Sequence, residues 1–287
     1  MAAKKLKSSE RTTLIGKLTT PLKKRYGSKP PEPVADRGVL ETLIFGTLVE
    51  NAGDEPAEKA YADLINGFHD LNEIRVSSIR EIERTIPAVH EADWKSLRIK
   101  DALQHIFEIN FTYDLESLRK KNQDAAASDL GEVPNSTPFM RAFTLQNGLG
   151  NHVVPIDRHS LYLLRWLGLT EPSVTGKLVA EEVASDELKS AIRKADGPLF
   201  AYLLRQAANE PTVLAVTSEY GDDAADDVEE FDPKDRIKQI DDLIDGKVGS
   251  QKPAKKASKS SGAKSTATKT KKAAKKASKK AAKKASK

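Results

Sequence analysis

Through residues 38 to 210 the apolar side chains return every third or fourth position, and nowhere do they alternate strongly enough to build a strand pair. Val39, Leu40, Leu43, Ile44 and Leu48 share one face of a helical wheel, as do Ala57, Ala60, Tyr61, Leu64 and Ile65, and later Leu161, Leu164 and Leu167. A 3.6-residue period buries one stripe of a helix against its neighbours, so the spacing predicts an all-α fold of about nine or ten helices. Asp54 is expected to cap the second of these, with Pro56 in its first turn. Ser77 or Ser78 starts a later segment that stops near Pro87. A longer helix is expected from about Glu91 to Asn110, with Trp94, Leu97, Leu103, Ile106 and Phe107 buried. Asp114 is expected to cap the next one. Gly131 through Pro138 reads as a turn, with Pro134, Asn135 and Ser136 as its breakers.

Charge divides the 287 residues into unlike regions. Residues 1–30 carry nine Lys and Arg against one acid, and residues 251–287 carry 15 Lys and no acid. Residues 219–247 hold 12 acids against four bases, which leaves 29 acids against 19 bases in residues 31–218. The expected organisation is a basic flexible arm (1–37), a helical domain (38–218), an acidic linker (219–250) and a disordered Lys/Ala-rich tail (251–287). The tail repeats Lys-Lys-Ala-Ala and Lys-Lys-Ala-Ser. Its lysines, Lys271, Lys272, Lys275, Lys276, Lys279 and Lys280 among them, favour a polyanion through counterion release. Nucleic acid is the expected partner rather than a membrane surface, because the run has no apolar face or acylation site. The acidic stretch before it either folds back on the tail or serves as a solubilising linker.

Cysteine is absent, which excludes disulfides, thiolate zinc sites and a cysteine-ligated 4Fe-4S cluster; no cofactor is expected. The histidines His69, His90, His105, His152 and His159 are irregularly spaced, so no metal site is expected either. No run of 18 apolar residues spans a membrane, and the basic N-terminus lacks the apolar segment of an export signal. The expectation is a cytoplasmic, nucleoid-associated monomer.

One stretch reads as chemistry. In residues 148–169, Gly148 and Gly150 end a helix, a short apolar run reaches Pro155, and Asp157 stands where the next helix begins. A carboxylate at that place accepts an otherwise unpaired N–H, and the positive end of the helix keeps it ionised. Such a group is either a plain N-cap or, held rigidly, a general base or a stabiliser of a cation.

These residues resemble the helix–hairpin–helix glycosylase superfamily, the family of endonuclease III and the adenine DNA glycosylases. Pro155-Ile156-Asp157-Arg158-His159, with Arg165 and Leu167-Gly168-Leu169, match most of the family string P-V-D-T-H-x-x-R-x-x-x-R-L-G-L. Leu48, Asn51 and Asp54 match L-S-Q-N-T-T-D, with Lys59-Ala60 following at the family interval. The resemblance covers roughly residues 38–210. It implies an endonuclease III-like fold of two helical subdomains around a cleft that receives a base flipped from the duplex. Asp157 is then the catalytic carboxylate, assisting loss of the base. Asn51, the hairpin residues Asn135, Ser136 and Thr137, and Arg158 and His159 are implied DNA contacts.

Three departures from the family pattern are visible. Val133-Pro134-Asn135-Ser136-Thr137 replaces the Gly-rich hairpin, and Pro134 has no N–H to offer a phosphate. Phe139 occupies the place of the Schiff-base lysine, so lyase chemistry by that route is not expected. The four cluster cysteines are missing. Two readings follow: a monofunctional DNA glycosylase of base excision repair, hydrolysing an N-glycosidic bond, or a non-catalytic DNA-binding protein with a linker-histone-like tail.

Overall fold

A computed structural model describes residues 6–30, 37–171, 179–221 and 231–248 of the chain. Among them the regular structure is helical throughout, with fourteen α-helices. No helix of the described residues is long and apolar enough to cross a membrane. The tail lysines Lys271 to Lys280 lie outside the described residues, as do residues 222–230 of the acidic stretch.

Two hydrophobic clusters organise the chain. The first is built from α2 (Val39–Val49), α3 (Asp54–Gly67), α4 (Leu71–Val76), α5 (Ile79–Thr85), α6 (Ala92–Asn110), α7 (Gln123–Gly131) and α8 (Pro138–Phe143). Helix α2 is its axis: every residue from Val39 to Val49 except Glu41 is buried, because other helices cover it on all sides. The second cluster joins α1 (Ser8–Tyr26) to α9 (Arg158–Trp166), α10 (Ala180–Lys189), α11 (Gly197–Ala208), α12 (Pro211–Thr217), α13 (Pro233–Lys238) and α14 (Ile240–Ile244). The two ends of the folded chain therefore meet in one cluster, and the middle of the chain forms the other.

Within the stretch expected to be a flexible arm, residues 8–26 are instead a docked helix. Helix α1 spans 19 residues and buries Leu14, Ile15, Leu18 and Leu22, while its lysines face outward. The buried Arg11 donates from Nε to the Leu169 carbonyl (2.9 Å) and pairs with Glu187 (3.1 Å). A narrow apolar stripe set among Lys, Ser and Thr is enough to form the helix, and Pro21 is accommodated within it. The acidic linker is corrected in part for the same reason. Ile237, Ile240, Leu243 and Ile244 form the buried face of α13 and α14 in spite of the surrounding Asp residues. Phe231 anchors this return by lying against Gly168. That glycine is left-handed (φ 68°), and an added Cβ would come within 2.9 Å of the phenyl ring.

Smaller corrections concern helix starts. Gly53, not Asp54, is the N-cap of α3, and Asp54 lies in its first turn. Ser78 caps α5 with a reciprocal bond from Glu81. Asp114 caps no α-helix; its Oδ1 accepts the Glu116 N–H (2.7 Å) at a short 3₁₀ turn, and α7 is capped by Asn122. Trp94, expected in the core, is 54% exposed at the start of α6, whereas Leu103 and Ile106 are buried as expected.

Candidate active site

The loop that delivers Asp157 is built by a change of helix pitch. After α8 the backbone widens into a π turn over Thr144–Gly148, and Gly150 (φ 65°) reverses the chain. The Asn151 N–H donates to the Leu145 carbonyl (2.8 Å) and Gln146 Nε2 to the Val153 carbonyl (2.6 Å), so the loop is fixed on the helix it has just left. Val154 and Ile156 are buried, and Asp157 follows as the N-cap of α9.

Both oxygens of Asp157 are engaged. Oδ1 accepts the Ser160 N–H (2.8 Å), closing the cap, and Oδ2 accepts the Asn51 N–H from the other cluster (3.0 Å). The side chain that sequence singles out is thus an N-cap at the junction of the two halves, and only 1% exposed. A ligand reaches it only by parting the groups that cover it.

Asn51 presents its N–H to Asp157 because its backbone is left-handed (φ 52°), a conformation that Asn tolerates better than most residues. Its Oδ1 accepts the His159 N–H (3.4 Å). His159 Nδ1 lies 2.8 Å from Asn209 Oδ1, and Asn209 Nδ2 donates to the Ala52 carbonyl (3.3 Å). The turn after α2 is thereby joined to α9 and α11. Next to it, Asp54 pairs with Arg205 of α11, both buried. Arg158 points outward beside Asp157, and the exposed His90 ring stands 6.0 Å from that of His159.

The expected hairpin is a turn between α7 and α8. Asn135 is left-handed there (φ 57°), a conformation that Asn adopts in turns more readily than most residues. Its side chain donates to Asp101 (2.6 Å), while Ser136 Oγ donates to the Leu130 carbonyl (3.2 Å) and the Ser136 carbonyl accepts from Arg141 (3.0 Å). Thr137 caps α8 by accepting the Met140 N–H (3.0 Å), and its hydroxyl donates to Glu50 Oε2 (3.1 Å). Phe139 is buried against Phe143 in the core.

Three charged residues at this junction carry no sequence signal of a site. Lys95, 1% exposed, donates from Nζ to the carbonyls of Leu48 (2.8 Å) and Glu50 (2.7 Å). Burial lowers its pKa to about 8, against the pull of Glu50 and Asp157. The Glu50 carboxylate accepts from Arg98 Nη1 (3.2 Å) as well as from Thr137. Burial raises its pKa, Arg98 and Thr137 oppose the rise, and Asp157 adds to it. The nearest thing to a hint is Lys95 itself, a lysine set on the apolar stripe of α6 with Ile99, Ala102, Leu103 and Ile106. A separate groove of about 260 Å³ runs between α8 and α10. It is lined by Pro138, Arg141, Ile156 and Glu182 among others, and Asp157 does not line it.

No family model matches the chain, and no curated protein does. Solved structures do match. Endonuclease III in a non-covalent DNA complex is similar with a TM-score of 0.51 at 15% identity, over 68% of this chain and 84% of that one. A thermostable thymine-DNA glycosylase gives a TM-score of 0.49 at 13% identity, over 69% and 85%. The Clostridium acetobutylicum 8-oxoguanine glycosylase/lyase, in complex with double-stranded DNA, gives 0.49 at 12%, over 70% of each chain. The all-helical architecture and the first of these likenesses together assign the chain the endonuclease III-like fold.

Proposed function

We propose that the protein binds DNA and hydrolyses the N-glycosidic bond of a damaged or mispaired base, with Asp157 as the carboxylate that assists departure of the base. The observation that carries this reading is the placement of Asp157. It caps α9 at the junction of two helical clusters, fixed by one N–H from each, in a fold that endonuclease III shares. A carboxylate held by preorganised dipoles in a water-poor site is well suited to stabilise an oxocarbenium-like sugar or to activate water. Asn51, whose N–H holds Asp157, is suited to fill the space a flipped nucleotide leaves. With Phe139 in the core where the Schiff-base lysine is expected, the chemistry proposed is hydrolysis without a lyase step. The 15 lysines of residues 251–287 supply non-specific affinity for duplex DNA.

One observation favours a second reading. Asp157 is closed off, with both oxygens bonded to backbone N–H groups, as a purely structural cap would be. In that case the scaffold binds DNA without cutting the glycosidic bond. Abasic-site formation on duplexes carrying uracil, oxidised or alkylated bases separates the two. Product that requires Asp157 supports the glycosylase, and duplex binding with no product on any of them leaves the scaffold reading.

A further inference from the structure

Lys95 is a full charge set in the interior, and such a group is retained only where its surroundings compensate the lost hydration. The two carbonyls it takes, those of Leu48 and Glu50, lie at the C-terminal end of α2, where a helix leaves acceptors unpaired. Between those carbonyls and Asp157 stands one residue, Asn51, in the left-handed conformation that aims its N–H at Asp157 Oδ2. The Glu50 side chain ties the same turn to α6 through Arg98 and to the hairpin through Thr137.

We propose that Lys95 is a positioning residue for Asp157: its ammonium clamps the Leu48 and Glu50 carbonyls and so fixes the turn from which the Asn51 N–H holds the carboxylate. This rests on the glycosylase reading only for its consequence in catalysis; the clamp itself stands apart from it. The charged groups facing Lys95 are Glu50 at the end of α2, Asp157 at the start of α9, and Arg98 and Glu91 on and before α6. Glu50, Asp157 and Glu91 favour the ammonium and Arg98 opposes it. A methionine at this position fills the volume and removes the donors.

The test is Lys95→Met in the full chain, read by amide hydrogen exchange at Asn51. Removal of the clamp is expected to speed Asn51 exchange by about tenfold or more, the equivalent of one hydrogen bond, while Leu163 and Leu164 within α9 keep their protection. On a lesion-bearing duplex from which the wild type releases the base, the single-turnover rate is expected to fall by about tenfold, with the duplex Kd changed less than about twofold. Unchanged Asn51 protection in a folded Lys95→Met protein overturns the proposal. Should that variant not fold, the wild-type chain gives the same answer: the Asn51 amide resonance is expected to titrate with the Lys95 ε-methylene near pH 8, and a flat Asn51 resonance overturns it. Both spectroscopic readouts decide the role of Lys95 whether or not any base is excised.

Discussion

Asp54 and Arg205 form a buried ion pair between α3 and α11, with side-chain exposures of 11% and 6%. Arg205 reaches Asp54 Oδ1 through Nη2 and, at 3.2 Å, through Nε. Its guanidinium also lies 5.7 Å from the Phe143 ring of the first cluster. Asp54→Asn keeps the shape and removes the charge, leaving a buried guanidinium without its counterion. Breaking such a pair from one side costs about 3–5 kcal/mol, and removing a carboxylate from the first turn of α3 adds about 0.3–1 kcal/mol. For a folded region of this size about 2–4 °C of Tm accompany each kcal/mol, so the expected fall is roughly 6–24 °C. Replacing both residues with apolar ones of similar volume, as in Asp54→Leu with Arg205→Met, is expected to recover most of that stability, since the desolvation penalty disappears with the pair. Thermal and urea unfolding of Asp54→Leu, Arg205→Met and the double variant gives the coupling energy directly. A coupling below about 0.5 kcal/mol, or an Asp54→Asn protein within about 1 kcal/mol of wild type, would refute the view that this pair joins the two halves.

Three further outcomes are expected. Deleting residues 1–26 removes four buried side chains worth about 1.5–3 kcal/mol each, which rivals the whole stability of a typical domain, so circular dichroism is expected to show an unfolded or molten protein rather than one that merely binds DNA less tightly. Lys95, held at about 8 against an ordinary 10.5, binds fewer protons folded than unfolded between those values. Its burial cost is therefore full below pH 8 and relieved as pH rises toward 10.5, and wild type should gain up to about 3 kcal/mol relative to Lys95→Met across that window in urea unfolding. Removing residues 255–287 is expected to leave Tm unchanged and to flatten the dependence of log K on log salt for duplex binding by several units, about 0.9 for each phosphate that a tail lysine no longer neutralises.

Sequence and structure agree where a local rule has no competitor. Asp157 before the apolar run of α9 is an N-cap because its carboxylate finds the Ser160 N–H, an interaction wholly within the segment. Asn135 makes the hairpin turn for an equally local reason. The disagreements over the arm and the linker have one physical source. In α1 and in α13–α14 the buried stripe is narrow and set among like charges, so composition points to solvent while four spaced apolar residues in each case are enough to dock. Lys95 is not legible as part of the site because its partners are main-chain carbonyls, which leave no mark in a sequence. Nor does local spacing reveal that the Asn51 N–H reaches Asp157 across 106 residues; the order of the two motifs implies only their joint presence.

The central claim is that Asp157 acts on a glycosidic bond rather than only capping α9. Its most direct measurement is single-turnover base release from a lesion-bearing duplex by wild type and Asp157→Asn, at a temperature where both are shown to be folded. The remaining amide oxygen can keep the Ser160 bond, while its NH₂ group faces the Asn51 N–H, so a modest drop in stability is expected alongside the kinetic effect. The account predicts release by wild type and a fall of about 10²–10³ in rate for Asp157→Asn with duplex affinity retained. Equal rates for the two proteins would contradict it.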